Sequence, residues 1–276
     1  MMEIRNAASP RDVKNYDSDR LREEFLVQGL FKPDRLKMVY SHIDRIIVGG
    51  VCPLKPLQLE GETELRTAFF LERREMGVIN VGPKGTVTVD GVKYDLETQD
   101  GLYIGMGSQN VLFSSTDPNH PSHFYFNSTP AHQTYPTRKI ELSQTEANHL
   151  GSLSDSNERT IHKYIHPQGV KSCQLVMGMT ILEPNNMWNS MPCHTHERRM
   201  EVYFYFNLAD DAVIVHLMGE PQETRHLILH NEEAVISPSW SVHSGVGTKN
   251  YTFIWGMAGE NQTFNDMDGI AIPDLR

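Results

Sequence analysis

The sequence is poor in cysteine and in basic residues, and it contains no long apolar run. Three cysteines in 276 residues, Cys52, Cys173 and Cys193, are too few and too scattered for a disulfide framework, which favours a reducing cytoplasm. Asp and Glu number 35 against 25 Lys and Arg, and the net charge of −10 argues against a nucleic-acid-binding protein. No segment approaches the roughly 20 apolar residues of a transmembrane helix, and the highly charged residues 1–25 do not resemble a secretory signal. We therefore expect a soluble cytoplasmic protein that binds neither nucleic acid nor membranes.

Stretches with helical character are few, and short strand-like runs occupy most of the chain. Runs rich in β-branched and aromatic residues alternate with Gly, Pro, Asn and Asp. Ser18 can cap one short helix, and the capping box Ser143-Gln-Thr-Glu146 predicts another that ends at Gly151. Residues 157–165 are expected to add a helical turn or two. The pattern predicts an all-β fold with a few short helices, built as a sandwich or barrel.

A weak internal repeat indicates two copies of one β unit. The segment Leu71-Glu-Arg-Arg-Glu-Met76 resembles His196-Glu-Arg-Arg-Met-Glu201, and an apolar strand and a turn follow in both copies. We predict two tandem double-sheet β-barrels. The length of 276 residues is consistent with about two domains. Residues 1–140 are expected to form the first barrel, 165–276 the second, and 141–164 a helical connection.

The second copy carries the residue types that bind metals. His194 and His196 are two residues apart and therefore point to the same side of an extended strand. If 197–200 form a turn, Glu201 returns opposite them at the head of the next strand, and His243 follows a Ser-Pro-Ser break. Imidazole and carboxylate suit zinc, iron, manganese, nickel or copper, so the spacing predicts one divalent metal per chain without choosing it.

The first copy lacks these ligands. When the two copies are aligned, the ligand positions of the second barrel correspond in the first to Phe69, Leu71, Met76 and Asn110. These side chains are apolar or an amide. The first barrel is therefore predicted to be structural and without a metal.

Three segments resemble the 5-keto-4-deoxyuronate isomerase family of the cupin superfamily. They are residues 38–50, 191–206 and 236–247, and the similarity extends through most of the chain. The resemblance implies a bicupin-like fold and a zinc-containing cytoplasmic ketol-isomerase of pectin and polyuronate breakdown, commonly a hexamer. Its reaction converts 5-dehydro-4-deoxy-D-glucuronate to 3-deoxy-D-glycero-2,5-hexodiulosonate. The family's metal motif falls on His194, His196, Glu201 and His243.

Isomerisation needs a base and a cationic anchor in addition to the metal. Glu183 and His226 are nominated as the proton-carrying base, although nothing in the sequence singles either out. Tyr203 and Tyr205 share the strand parity of Glu201, so their hydroxyls are predicted to face the pocket and to hydrogen-bond the enediolate.

Two arginines in the turn beside the ligands are nominated for binding the substrate carboxylate. Arg198 and Arg199 have the fork geometry that suits a carboxylate. The same pair recurs as Arg73-Arg74 in the copy without ligands, which favours a structural ion-pair role.

Other functions remain open on sequence alone. A cupin dioxygenase would use iron at the same four ligands, and an isomerase of a related uronate would use the same machinery. A non-catalytic sugar-sensing cupin is less favoured, because the chain shows no basic DNA-binding pattern.

Overall fold

Short strands dominate the chain, and the predicted all-β class is confirmed. The computed structural model describes residues 2–61 and 63–276. Within these residues there are two α-helices, α1 (Pro10–Val13) and α2 (Ser18–Phe25). The N-cap of α2 is Asp17, one residue before the expected Ser18, and its side chain accepts a hydrogen bond from the Arg20 backbone N–H at 2.9 Å.

The strands are short, and most have two to eight residues. In chain order they are β1 (Glu3–Arg5), β2 (Leu26–Val27), β3 (Arg35–Ser41), β4 (Ile47–Cys52), β5 (Leu57–Leu59), β6 (Arg74–Asn80), β7 (Gly85–Val89), β8 (Val92–Leu96), β9 (Gly101–Ile104), β10 (Val111–Ser115), β11 (Phe124–Pro130), β12 (Arg138–Ile140), β13 (Glu146–Leu150), β14 (Arg159–Ile165), β15 (Val176–Leu182), β16 (Trp188–Asn189), β17 (His194–Thr195), β18 (Arg199–Phe206), β19 (Ile214–Glu220), β20 (Glu223–Leu229), β21 (Glu233–Ser237), β22 (Ser244–Gly247), β23 (Thr252–Gly259) and β24 (Asp268–Gly269).

The first of two compact units pairs a large sheet with a small one. It comprises residues 2–5, Gly29–Thr145 and Tyr164–Met177. Its seven-stranded sheet has the order β1-β3-β4-β11-β6-β9-β12, and its four-stranded sheet the order β5-β10-β7-β8. Buried side chains of both sheets, such as Val78 and Phe126 from the large one and Phe113 from the small one, form one apolar core.

The second unit repeats this architecture. It comprises Asn6–Gln28, Glu146–Lys163 and Gly178–Arg276. Its sheets have the orders β13-β14-β15-β23-β18-β21-β2 and β16-β22-β19-β20, with a further pair β17-β24. The strand order therefore matches that of the first unit position by position, with β18 at the place of β6.

The register of the central strands agrees with the repeat found in the sequence. Met76 in β6 pairs with a residue near the end of β9, Ile104, and Glu201 in β18 pairs likewise with Ser237 at the end of β21. Met76 and Glu201 are the residues that the sequence alignment of the two copies equates. The repeat is thus a structural duplication, and only its second copy carries ligand-type residues at these positions.

Two predicted helices are wrong. The capping box produces only a 3₁₀ turn (Leu142–Gln144), after which β13 pairs antiparallel with β14 along the stretch expected to be helical. Cross-strand contacts favour this hairpin: Lys163 forms a salt bridge with Glu146 at 2.6 Å, and His149 lies 3.2 Å from the Thr160 hydroxyl. The predicted helical connection at 141–164 therefore contains β13, most of β14 and two 3₁₀ turns, and no α-helix.

The N-terminal segment differs from the predicted domain division, because Asn6–Gln28 belongs to the second unit. Strand β2 pairs with β21, and Leu21 and Phe25 on one face of α2 are buried. The Phe25 ring also meets Trp240 edge-on at 6.4 Å between ring centroids. These apolar contacts, which are remote in sequence, fix where the segment packs.

Among the described residues no helix is long and apolar enough to cross a membrane. The three cysteines are free thiols, as their scattered positions predicted.

Candidate metal centre

Three parts of the second unit bring four ligand-type side chains together. His194 lies on β17, and the backbone then turns, with the Arg199 N–H donating to the His196 carbonyl at 3.2 Å. This turn starts β18 at Arg199 and returns Glu201 towards the histidines. His243 comes from the loop that precedes β22. The predicted strand–turn–strand arrangement is therefore what the chain forms here.

The four ligand atoms converge on one point. The Nε2 atom of His194 lies 3.1 Å from that of His196 and 3.0 Å from that of His243. The Oε2 atom of Glu201 lies 3.1 Å from His196 Nε2 and 2.9 Å from His243 Nε2. Four of the six distances among these atoms are therefore about 3 Å, and all four atoms lie within 4.8 Å of one another. This cluster could hold a metal ion.

The outer contacts of two imidazoles leave their Nε2 atoms as acceptors. His196 Nδ1 lies 2.7 Å from the Asp266 carbonyl oxygen, which can only accept, so we assign the ring proton to Nδ1. His243 Nδ1 likewise lies 3.3 Å from the Ser241 carbonyl oxygen. Two Nε2 lone pairs and a carboxylate oxygen therefore face one another, an arrangement that a cation satisfies.

Burial and charge favour the metal-binding protonation states. Burial, assisted by His243, lowers the pKa of His194 to about 3. Burial opposes ionisation of Glu201, but His243 and His196 outweigh it and lower the pKa of this carboxyl well below its usual range. At neutral pH His194 is therefore neutral and Glu201 ionised, which are the forms that coordinate a metal.

The cluster opens into a cavity of about 270 Å³. Aromatic and aliphatic walls and a few polar groups form its lining: Leu150, Arg159, Ile161, Thr180, Asn189, Ser190, Met191, Pro192, His194, His196, Glu201, Tyr203, Phe253, Trp255, Met257, Phe264 and Met267. A small pocket with apolar walls and a few polar groups is typical of a small-molecule site. A metal held by the cluster would therefore be reachable from this pocket.

The structure separates the two nominated tyrosines. Tyr203 lines the cavity, its ring lies 5.3 Å from that of His243 between centroids, and its hydroxyl is 3.2 Å from Ser190 Oγ. Tyr205 is buried deeper and does not line the cavity; its hydroxyl lies 2.7 Å from His216 Nδ1. Burial first, then the Glu201 charge, raises the pKa of Tyr203 well above its usual value, so its hydroxyl is a neutral donor.

The donors of Arg198 and Arg199 are mostly taken by the loop that follows β23. Arg198 Nε lies 2.8 Å and 2.9 Å from the two carboxylate oxygens of Asp266. Arg199 is buried and donates to the carbonyl oxygens of Thr263 and Phe264 at 2.6 and 3.1 Å. Neither lines the cavity. Their geometry matches the structural role that the repeated Arg-Arg pair suggested.

The two residues nominated as base lie away from the cavity. Glu183 is half-buried just after β15, and its carboxylate is 3.4 Å from the Thr160 hydroxyl. His226 is exposed on β20, where its neighbours Leu227 and Leu229 take the buried positions. Because side chains alternate along a strand, inward-facing leucines turn His226 outward.

Four polar residues of the cavity escaped the sequence analysis: Arg159, Thr180, Asn189 and Ser190. Arg159 was missed because a helix was expected over 157–165, which gave no reason to place its side chain in the cavity. Read as a strand, the same stretch places Arg159 and Ile161 on one face, and both line the cavity.

Comparisons with known proteins show the family of this chain. Residues 25–272 match the model of the KduI/IolB family. The chain is 59% identical, over the whole length of both proteins, to a 4-deoxy-L-threo-5-hexosulose-uronate ketol-isomerase of Caldicellulosiruptor bescii. It is 56% identical, again over the whole length of both, to the protein of that name from Escherichia coli K12.

A solved structure supports the fold. An IolB-like protein from Salmonella typhimurium superposes with a TM-score of 0.67 at 13% identity, covering 82% of this chain and 86% of its own. At that identity the likeness shows the shared double-barrel architecture alone.

Proposed function

Because the chain belongs to the KduI/IolB family, we propose that it is a metal-dependent ketol-isomerase acting on 4-deoxy-L-threo-5-hexosulose uronate. This substrate is the 5-dehydro-4-deoxy-D-glucuronate expected from the sequence, and the product is 3-deoxy-D-glycero-2,5-hexodiulosonate. The observation that carries the proposal is the His₃Glu cluster, which is open to a small cavity. It occurs in a chain that is 59% identical to a 4-deoxy-L-threo-5-hexosulose-uronate ketol-isomerase. Relatives at this identity over their full length support an intramolecular oxidoreductase of the aldose–ketose type.

The reaction moves a proton between adjacent carbons while a carbonyl and a hydroxyl exchange places. His194, His196, Glu201 and His243 would hold a divalent metal, which when bound supplies Lewis-acid stabilisation of charge on the substrate oxygens. The Tyr203 hydroxyl, a neutral donor facing the cavity, hydrogen-bonds a substrate oxygen as negative charge develops there. Apolar walls such as Trp255 and Phe253 exclude water and strengthen these interactions.

Zinc is our choice of metal. Three imidazoles and one carboxylate suit it, although iron, manganese and nickel accept the same donors. The cytoplasmic location, the hexamer and the role in pectin breakdown rest on the family resemblance and stay predictions.

The proposal is tested by measuring metal content and isomerisation on one preparation. We expect about one zinc ion per chain, and turnover of freshly generated 5-dehydro-4-deoxy-D-glucuronate that a chelator removes and zinc restores. Reconstitution with iron, manganese and nickel identifies the preferred metal. Metal without this turnover would contradict the proposal; oxygen consumption would then indicate a dioxygenase, and turnover of glucuronate or galacturonate a related isomerase.

The two tyrosines provide a matched pair of variants for the mechanism. Tyr203→Phe is expected to lower kcat by about 100-fold, because it removes a hydrogen-bond donor to the developing charge, and to leave the metal content unchanged. Tyr205→Phe should lower kcat much less, since its hydroxyl bonds His216 rather than facing the cavity. Steady-state kinetics of both variants check this, and an unchanged kcat in Tyr203→Phe would rule out its role.

A further inference from the structure

One cationic side chain faces the cavity of the metal centre without an acidic partner. Arg159 is the single Lys or Arg among the described residues that line it. Its NH1 donates to the Asn157 carbonyl oxygen at 2.8 Å, while its Nε is buried with no hydrogen-bond partner. No carboxylate within 2–61 or 63–276 forms a salt bridge with it. The guanidinium therefore has donor capacity that the protein itself leaves unused.

Because Arg159 is partly buried, its unpaired charge and unused donors are energetically costly. Burial lowers the pKa of Arg159, yet arginine stays charged at neutral pH. A partly buried cation without a counter-ion is unfavourable, and an anion bound beside it offsets that cost. Arg198 differs in this respect, because Asp266 and Asp268 already neutralise it.

A second donor lies in the same lining. Asn189 is 2% exposed, and its Nδ2 makes no well-formed hydrogen bond. The cavity thus offers a guanidinium fork and an amide N–H, the donor types that bind a carboxylate.

We propose that Arg159 binds the carboxylate of the substrate and so selects acidic sugars. The cavity of about 270 Å³ is lined both by Arg159 and by the ligands His194 and Glu201. A small acid with its carboxylate on Arg159 therefore keeps its remaining carbons within the cavity that the ligands line. This inference rests on the proposed function, since it takes a uronate as the occupant.

Substitution of Arg159 tests the anchor through the balance of KM and kcat. Arg159→Gln is expected to raise KM by roughly 10- to 100-fold, with a smaller change in kcat and unchanged metal content. Arg159→Lys keeps the charge but loses the fork, so its KM should lie between those of the wild type and Arg159→Gln. Arg138→Gln, at the exposed first residue of β12 in the first unit, is the matched control and should behave as the wild type. An unchanged KM in Arg159→Gln would overturn the proposal.

The substrate's own carboxylate provides a second test that needs no stable variant. The wild type should prefer the uronate over its methyl ester by roughly 10- to 100-fold in kcat/KM, and Arg159→Gln should lose most of this preference. Equal use of acid and ester by the wild type would overturn the anchor, as would an undiminished preference in Arg159→Gln. If Arg159→Gln does not fold, Arg159→Lys and the wild-type comparison carry the test.

Failure of the anchor and failure of the proposed function are distinguishable. If the wild type turns the uronate over but Arg159→Gln keeps its KM, only the anchor is wrong. If the wild type shows no turnover, the proposed isomerase is wrong, and the anchor is judged by calorimetric binding of D-glucuronate against its methyl ester to the metal-loaded protein. Tighter binding of the acid that Arg159→Gln abolishes supports the anchor, and any other result rejects it.

Discussion

Replacing His194 with alanine is expected to abolish stoichiometric metal binding and to lower kcat/KM by about 10³-fold or more. The imidazole supplies one of four converging donors, with its Nε2 within 3.1 Å of the Nε2 atoms of His196 and His243. Removing it leaves three donors and an open side. A metal ion bound there would lower the activation barrier by several kcal/mol, and each 1.36 kcal/mol is a factor of ten in rate.

Glu201→Gln separates the charge of the site from its shape. The amide keeps the size of the side chain but removes the negative charge that balances a divalent cation. We expect metal affinity to fall strongly with little change in the fold, because Glu201 contacts His196 and His243, which a carboxamide oxygen can still approach. The measurement is metal content by elemental analysis together with turnover.

Stability gives a readout of this site that is independent of activity. A ligand that binds only the folded state raises the melting temperature, so a chelator should lower the melting temperature of the wild type and leave that of His194→Ala unchanged. His120→Ala, an exposed histidine of the first unit, serves as the control and should retain both metal and turnover. Full metal content in His194→Ala would exclude it as a ligand.

The ligand cluster could be predicted because most of its geometry is local. His194 lies on one short strand, His196 in the turn that follows and Glu201 on the next strand, so a stretch of eight residues brings three of the four together. His243 needed only a turn signal before another strand. Arg159 needed more: the strand character of β14, and its position in the sheet order β14-β15-β23-β18, which depends on pairing between segments remote in sequence.

The fold shows the same division between local and remote information. Runs of β-branched and aromatic residues separated by turn residues predicted the all-β class, because both signals are local. The hairpin of β13 and β14 was missed because local capping signals were weighed without the partner strand that stabilises it. Likewise, nothing within Asn6–Gln28 indicates that it packs with the second unit rather than the first.

The repeated Arg-Arg pair shows how a shared motif can be structural. Arg74 and Arg199 begin equivalent strands, and both are buried. Arg74 donates to the Ser128 carbonyl oxygen at 2.8 Å, and Arg199 donates to backbone carbonyls of its own unit. Because the pair performs this task in both copies, its presence beside the ligands carries no information about substrate.

The largest effect on stability is expected from Glu75 in the first unit. Glu75→Leu should destabilise that unit by about 3–5 kcal/mol, the cost of removing one partner from a buried charged network. Its carboxylate is fully buried and accepts hydrogen bonds from the backbone N–H groups of Cys173, Gln174 and Leu175 at 2.7, 2.8 and 3.0 Å. It also accepts from the Tyr103 hydroxyl at 2.8 Å.

One carboxylate accepts from three successive backbone N–H groups, and this decides the size of the effect. Leucine would fill most of the volume but remove the carboxylate acceptor of three backbone N–H groups, one buried and two partly buried. A buried donor left without an acceptor costs about 1–3 kcal/mol. In the second repeat the aligned residue is Met200, which is buried and apolar, so this position of the strand does not itself require a charge. The charge of Glu75 is therefore explained by the segment it holds, not by the strand it lies on.

Thermal melting of Glu75→Leu and Glu75→Gln measures this loss of stability, with Glu141→Gln as the control variant. A loss of that size should lower the melting temperature of the first unit by roughly 10 °C, while exposed Glu141 should change it little. Glu75→Gln is expected to fall between them, because its amide keeps one acceptor but turns an N–H towards the remaining donors. The ligand residues all belong to the second unit, so folded Glu75→Leu should still bind its metal. A melting temperature within about 2 °C of the wild type would mean that water or a rearranged side chain satisfies the Cys173–Leu175 backbone, and that Glu75 does not hold it.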